Sequence, residues 1–187
     1  MYIKDKELLN SPVFSVSNKV VRVFWGFVYV VFIKYSPVFL FKWRVFILKL
    51  FGADISWSSR IYPTARIWLP CNLKMSDGAT VGPRVNVYNQ GRIDIGPNAI
   101  ISQDVSLCAS THDYNKPTHP LVLAPIRIES DVWVCAEAFI GPNVTLCIGS
   151  VIGARAVISK DTFAWGVYGG NPAVKINERN GYHLNDN

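Results

Sequence analysis

Histidine is scarce in this chain, and its cysteines lack metal-type spacing. Only 3 histidines occur in 187 residues. The 4 cysteines, Cys71, Cys108, Cys135 and Cys147, form no CxxC pair and keep no metal-ligand spacing from a histidine. No metal is therefore expected, and the thiols read as small buried or half-buried side chains in a reducing compartment. Long apolar runs are also missing. A membrane span needs roughly 20 apolar residues; the stretch from Val23 to Ile33 is too short, and Lys34 and Pro37 interrupt it. The opening residues are mixed and polar, with no small-residue cleavage site after a short apolar core. No cleavable leader and a cytoplasmic location are expected. Motifs of nucleic-acid recognition are absent too, and the basic residues are interleaved with large apolar ones, so no nucleic-acid partner is expected.

What is present is a period of six. Ile128, Val134, Ile140, Leu146, Ile152 and Ile158 stand six apart, and four residues after each of the first five comes a residue of modest size: Val132, Ala138, Val144, Ser150, Ala156. Six is neither the period of a helix nor the alternation of an ordinary strand. It marks an all-β fold, a parallel β-helix of hexapeptide repeats, in which each repeat supplies one strand and one corner and three make a coil of roughly 18 residues. Stacked coils sit about 4.8 Å apart. Ile128 is expected beneath Leu146, Val134 beneath Ile152, and Ile140 beneath Ile158.

The same period runs upstream with two slips. Ile55, Ile61, Ile67 and Leu73 are followed by Met75, Val81, Val87 and Ile93, and then by Ile95, Ile101 and Leu107. Each new series begins two residues after the last member of the one before. Residues 111–125 show no repeat and read as a loop thrown out of the coil, after which Ile126 or Ile128 restarts the pattern.

Charge divides the chain differently. Residues 1–51 contain eight Lys or Arg and two Asp or Glu, whereas 52–187 contain eleven of each. The first segment also holds 13 of the 24 aromatics, and Ser36-Pro37 splits it into two expected helices. The expected organisation is a basic aromatic segment (1–51), a β-helix (52–176) and a polar tail (177–187). The first segment either caps the open end of the solenoid or lies at a membrane surface, and the two are compatible.

Of the histidines, His183 lies in the polar tail and His119 inside the loop. His112 comes where the repeat breaks. A histidine on the rim of a rigid coil beside a loop is placed as a general base should be, and imidazole exchanges a proton near neutral pH. The alternative is a turn histidine bonded to backbone.

Several stretches carry a resemblance. Asp131-Val-Trp-Val134, Val151-Ile-Gly-Ala-Arg-Ala-Val-Ile-Ser-Lys-Asp161, Gly169-Gly-Asn-Pro-Ala173 and Ser110-Thr-His-Asp-Tyr114 are similar to the hexapeptide-repeat acyltransferases. Trp43-Arg44, Leu50-Phe-Gly-Ala53, Val87-Tyr-Asn-Gln-Gly91 and Ala138-Phe-Ile-Gly-Pro142 resemble the O-acetyltransferases of bacterial exopolysaccharide synthesis, of the colanic-acid type. The resemblance implies a left-handed β-helix, a homotrimer, acetyl-CoA as donor and a sugar hydroxyl as acceptor, which exopolysaccharide assembly can carry on a lipid. The left hand comes from the resemblance alone, since β-crossovers are ordinarily right-handed. By the same resemblance His112 matches the catalytic base and Trp133 the aromatic along the pantetheine arm. Ala136 and Ala154 match backbone contacts to that arm. Ser159, Lys160 and Lys175 match the nucleotide end, and Asn89 matches an acceptor-site polar residue. Two departures stand out: Cys135, where relatives often have glycine, and Phe163-Ala-Trp165, where they often carry proline.

The implied chemistry is direct transfer. His112 takes the acceptor proton as the oxygen attacks a thioester, and a backbone N–H meets the oxyanion. Serine or an amino sugar stays open as the acceptor. Metal-binding β-helices of the carbonic anhydrase kind use several histidines, and His112 and His119 are too few for that. A non-catalytic scaffold would be marked by a lost base or a blocked channel, and His112 and Trp133 are both present.

Overall fold

A computed structural model describes residues 16–180. The first fifteen residues and His183, with the rest of the tail beyond 180, lie outside the described residues. Two helical pieces precede a stack of triangular coils. Helix α1 (Val16–Val28) runs into a π-helical turn (Tyr29–Ile33), and α2 (Phe41–Leu50) follows the Ser36-Pro37 break.

The solenoid has three faces. The first holds β1 (Asp54–Ile55), β4 (Leu73–Met75), β7 (Ile93–Ile95), β12 (Ile126–Ile128) and β15 (Thr145–Leu146). The second holds β2 (Arg60–Ile61), β5 (Thr80–Val81), β8 (Ile100–Ile101), β13 (Trp133–Val134) and β16 (Val151–Ile152), extended by β18 (Gly166–Gly170) and β19 (Ala173–Glu178). The third holds β3 (Arg66–Ile67), β6 (Asn86–Tyr88), β9 (Ser106–Cys108), β14 (Phe139–Ile140) and β17 (Val157–Ile158). Neighbouring coils pair in parallel, and the three expected stacks form: Ile128 with Leu146, Val134 with Ile152, Ile140 with Ile158. These residues fill the prism and are essentially removed from solvent. Each is worth about 1.5–3 kcal/mol of transfer free energy, which only a stack can realise, because one coil leaves its row open above and below.

The two slips share one location. On β4, β7 and β12 both end residues point inward, so Leu73 and Met75, Ile93 and Ile95, and Ile126 and Ile128 all reach the core. The extra residues thus lengthen first-face strands and the corner before them. That corner, between the third and first faces, also emits residues 109–125. These are not an irregular loop. β10 (Ser110–His112) and β11 (Leu121–Leu123) pair antiparallel, with His112 opposite Leu121.

A second periodic signal lies in the backbone. Gly78, Arg84, Asn98, Asp104, Asp131, Glu137, Asn143, Gly149 and Arg155 all have φ between 55° and 69°. Each immediately precedes the small residue of its repeat. Such turns require φ > 0 at their third position, which Gly and Asn supply readily and Arg and Glu do not. At the corner between the second and third faces the bulky members offset this by pairing. Arg84 grips Asp104 through Nε and Nη2 at 2.7 and 2.6 Å, and Arg155 Nε meets Glu137 at 2.8 Å.

The N-terminal segment closes the lower end. In the stack, Met75 O, Val81 O and Val87 O each accept an N–H from the coil beneath, from Ser56, Tyr62 and Trp68. The equivalent carbonyls of the lowest coil have no coil beneath them. Lys49 Nζ donates to Ile55 O at 2.6 Å, Arg44 Nε to Ile61 O at 2.5 Å, and Trp25 Nε1 to Ile67 O at 2.7 Å. One side chain therefore serves each face and substitutes for a missing strand, which blunts an edge open to further pairing. α1 and its π-turn make a continuous helix from Val16 to Lys34, 19 residues long and apolar enough to cross a membrane. This corrects the expectation that the run is too short, because Lys34 ends the helix and does not interrupt it. Its Trp25, Val28 and Ile33 are nevertheless buried in the core shared with the first coil.

At the upper end the path of Phe163-Ala-Trp165 is settled. The chain turns at Trp165 (φ 60°) and adds β18 and β19 to the second face. The strand reaches Glu178, and Arg179 Nη1 donates to Asp131 O at 2.9 Å.

Candidate active site

His112 ends β10, exposed, at the mouth of the hairpin. Its Nδ1 lies 2.6 Å from the carbonyl oxygen of His119. A carbonyl can only accept, so Nδ1 carries the proton and donates it, and in the neutral ring Nε2 keeps its lone pair. That is the tautomer a general base needs. His119 itself is held at φ 42°, with its N–H on Lys116 O at 2.9 Å. Asp113 does not orient the ring. Its carboxylate accepts from the Asn115 N–H at 3.1 Å and pairs with Lys116 at 3.4 Å, as alternation along a strand would have it.

Trp133 stands outward on the second face, 46% exposed. Its Nε1–H donates to Ser102 Oγ at 3.1 Å, which ties the indole to the coil below. Ala136 and Ala154 occupy equivalent places in the corner between the second and third faces. Arg155 N–H donates to Ala136 O at 2.9 Å, stacking one above the other. Trp133 lies three residues before Ala136, on the strand that leads into that corner. Ser159 and Lys160 follow β17 at the upper end of the third face, both exposed. Lys175 lies on β19, where its Nζ meets Glu178 Oε1 at 2.5 Å and holds that carboxyl below its usual range.

The fold separates these residues. The hairpin bearing His112 springs from the corner between the third and first faces. Trp133 lies on the second face, which is opposite that corner. Within one chain the body of the prism stands between them.

Asn89 points into the coil. It is fully buried, its Nδ2 donates to Leu69 O at 2.6 Å and its Oδ1 accepts the Leu69 N–H at 3.1 Å. Both ends of the amide clasp the extra corner residues of the coil below. Cys135 is half-buried at the start of the corner, and burial pushes its thiol up from the usual range. Burial raises Cys147 as well, aided by the carboxylates of Glu129 and Asp161. Among the described residues no cluster of three or more His, Cys, Asp or Glu is gathered that could hold a metal.

Two contributors escape a reading of sequence, the His119 carbonyl and Ser102. The first is backbone and has no residue signature. The second could be found only by placing Ile100 beneath Trp133 across the hairpin insertion.

Known proteins resemble this arrangement. No protein-family model matches the chain. The provisionally named colanic acid biosynthesis acetyltransferase WcaF of Escherichia coli (strain K12) is 38% identical over 166 residues, covering 89% of this chain and 91% of that protein. The maltose O-acetyltransferase of Clostridium difficile 630 superposes with a TM-score of 0.79 at 20% identity, over 89% of this chain and 90% of that one. A hexapeptide-repeat acetyltransferase of Vibrio cholerae O1 biovar eltor, complexed with acetyl coenzyme A, gives 0.78 at 22% identity over 89% and 91%. The chain belongs to the hexapeptide-repeat acetyltransferases, in the group of the colanic acid biosynthesis proteins.

Proposed function

We propose that this chain moves an acetyl group from acetyl-CoA to a hydroxyl of a saccharide used in bacterial exopolysaccharide biosynthesis, with His112 as general base. The observation that carries the reading is the His112–His119 bond, which leaves Nε2 free to take a proton. The naming of the Escherichia coli relative for colanic acid biosynthesis and the acetyl-CoA bound to the Vibrio neighbour support donor and acceptor class.

The residues present fit the donor. Trp133 offers a flat exposed ring, and Ala136 and Ala154 carry no side chain beyond Cβ where an arm would pass. Lys160 and Lys175 are point charges suited to phosphates, Lys175 once released from Glu178. Acetyl-CoA supplies an acyl group activated as a thioester. His112 Nε2 takes the acceptor hydroxyl's proton during attack, and the resulting imidazolium keeps its Nδ1–H on the His119 carbonyl. Nε2 afterwards returns the proton to the departing thiolate. Burial pushes the Cys135 thiol up from its usual range, which disfavours a thiolate nucleophile there.

The opposed positions of His112 and Trp133 support a homotrimer. A closed ring of three brings the hairpin of one copy to the second face of the next. The test is product analysis by intact mass and NMR after incubating the full chain with acetyl-CoA and candidate oligosaccharides. A single O-linked acetyl group on a sugar is the expected result. Acetylation of serine or of an amino-sugar nitrogen instead would refute the acceptor class.

A further inference from the structure

From Leu8 to Ala53 the chain contains no Asp or Glu, yet it carries Lys19, Arg22, Lys34, Lys42, Arg44 and Lys49. The structure sorts these six cations. Arg44 and Lys49 turn inward to the edge carbonyls of the first coil, and the Arg22 guanidinium lies 4.4 Å from the centre of the Trp68 ring. Lys19, Lys34 and Lys42 remain exposed.

The helix is apolar on two opposite sides. One stripe, with Trp25, Val28 and Ile33, packs on the solenoid. The other faces outward and is wide open: Val20 is 62% exposed, Val23 77%, Phe24 58% and Phe27 62%. Val30 and Val31 continue it, and Tyr35 and Phe39 extend it around the turn, 74% and 77% exposed. The spacing, three to four residues per step, is that of one helical stripe. A contiguous apolar face of this size on a soluble body marks a contact surface. Beside it, Lys34 overhangs a hollow lined also by Tyr29, Thr64, Arg66, Arg84 and Asp104. Asp104 is engaged by Arg84, so Lys34 and Arg66 bring positive charge that it does not offset.

We infer that this outer face is a docking surface for a membrane bearing anionic lipid. The apolar stripe enters the acyl boundary, Lys19, Lys34 and Lys42 meet headgroups, and a lipid phosphate sits in the hollow under Lys34 and Arg66. Charge selects this occupant. A second copy laid on the same face would oppose lysine to lysine, with no carboxylate in either helical segment to answer it. A bilayer answers both the apolar stripe and the lysines at its rim. The orientation is parallel to the surface, because Trp25, Val28 and Ile33 stay locked in the first coil. The inference rests on the cap alone and not on the acetyl-transfer reading, since flotation needs no acceptor.

The experiment is flotation of the full chain with phosphatidylcholine vesicles, with and without phosphatidylglycerol, at low and high salt. Binding to the anionic vesicles at low salt is expected, falling as salt rises. The triple variant K19E/K34E/K42E should lose about 100-fold or more, since each lysine near an anionic surface is worth about fivefold. V23D/F27D should lose binding while keeping the circular dichroism and thermal unfolding of the parent. Inorganic phosphate that leaves binding intact supports the lipid headgroup as ligand, and phosphate that abolishes it on its own overturns the docking surface in favour of a free anion site. Equal flotation of parent and K19E/K34E/K42E would overturn the inference, as would no flotation of the parent. So would resistance to alkaline carbonate, which signals a spanning helix, or dissociation of the V23D/F27D oligomer in the absence of vesicles.

Discussion

The buried guanidinium of Arg44 donates from Nε to the backbone carbonyl of Ile61 at 2.5 Å, the place a neighbouring coil would otherwise take. The same group donates to Ser36 Oγ and to the carbonyls of Pro37 and Val38, so one side chain joins the first coil to the turn between the helices. Burial draws its pKa down from the ordinary arginine value.

Arg44→Leu should therefore destabilise the protein by about 3 kcal/mol or more, because one buried and three partly buried acceptors lose their donor, a buried one alone costing about 1–3 kcal/mol. Lys42→Leu, two residues away and exposed, should stay within about 0.5 kcal/mol of the parent. Urea midpoints at fixed pH make the comparison. Equal midpoints for parent and Arg44→Leu would mean that the edge carbonyls do not need capping.

His112→Ala should lower acetyl transfer by about 10²-fold or more, the usual span for a lost general base. His119→Asn should keep most of the rate, because only its backbone carbonyl is used and Asn tolerates a positive φ. Steady-state turnover of the two variants separates the histidines. The reverse order of damage would assign the wrong base.

Trp133→Ala should weaken acetyl-CoA binding by about 1–2 kcal/mol through loss of a flat aromatic contact. Ser102→Ala should have a smaller effect in the same direction, since it frees the indole without removing it. Calorimetry with acetyl-CoA reads both, and unchanged affinity in Trp133→Ala would move the donor channel elsewhere.

Mixing His112→Ala with Trp133→Ala protein after unfolding and reassembly should restore activity at limiting acetyl-CoA. If each site joins two copies, about a quarter of the sites in a random trimer regain both residues. A mixture no more active than its parts would place both residues in sites formed within one chain.

Cys135 should resist alkylation at neutral pH and react only as the pH rises. Burial raises its pKa, so at any given pH less thiolate is present than for a free thiol. Exposed Cys71 should label first. Mass spectrometry after iodoacetamide treatment at several pH values gives the order, and prompt labelling of Cys135 at neutral pH would contradict its burial.

Much of this was legible in residue order. The sixfold series told which residues stack, and Ile128 on Leu146 follows from counting eighteen. The slips at Leu73 and Ile93 were legible as slips but not as a shared corner, since hydropathy records which residues face inward and not where added chain is stored. His112 was legible by its place at the break. Its partner was not, because a carbonyl oxygen belongs to every residue. The inward position of Asn89 was not legible, because an amide that clasps backbone and an amide that faces solvent look alike in sequence.

The sequence by itself determined the repeat, the stacking partners, the helical pair and the scarcity of groups able to act as a base. These are local or strictly periodic properties, set by spacing along the chain. Only the tertiary structure decided which cations serve the fold and which face solvent. Arg44 and Lys42 are indistinguishable in composition, yet one is buried on Ile61 and the other is exposed. The same holds for the distance between His112 and Trp133, 21 positions apart in the chain but on opposite sides of the prism. A coil returns residues to the same face every eighteen or twenty positions, so separation in sequence says little about side until every insertion has been placed.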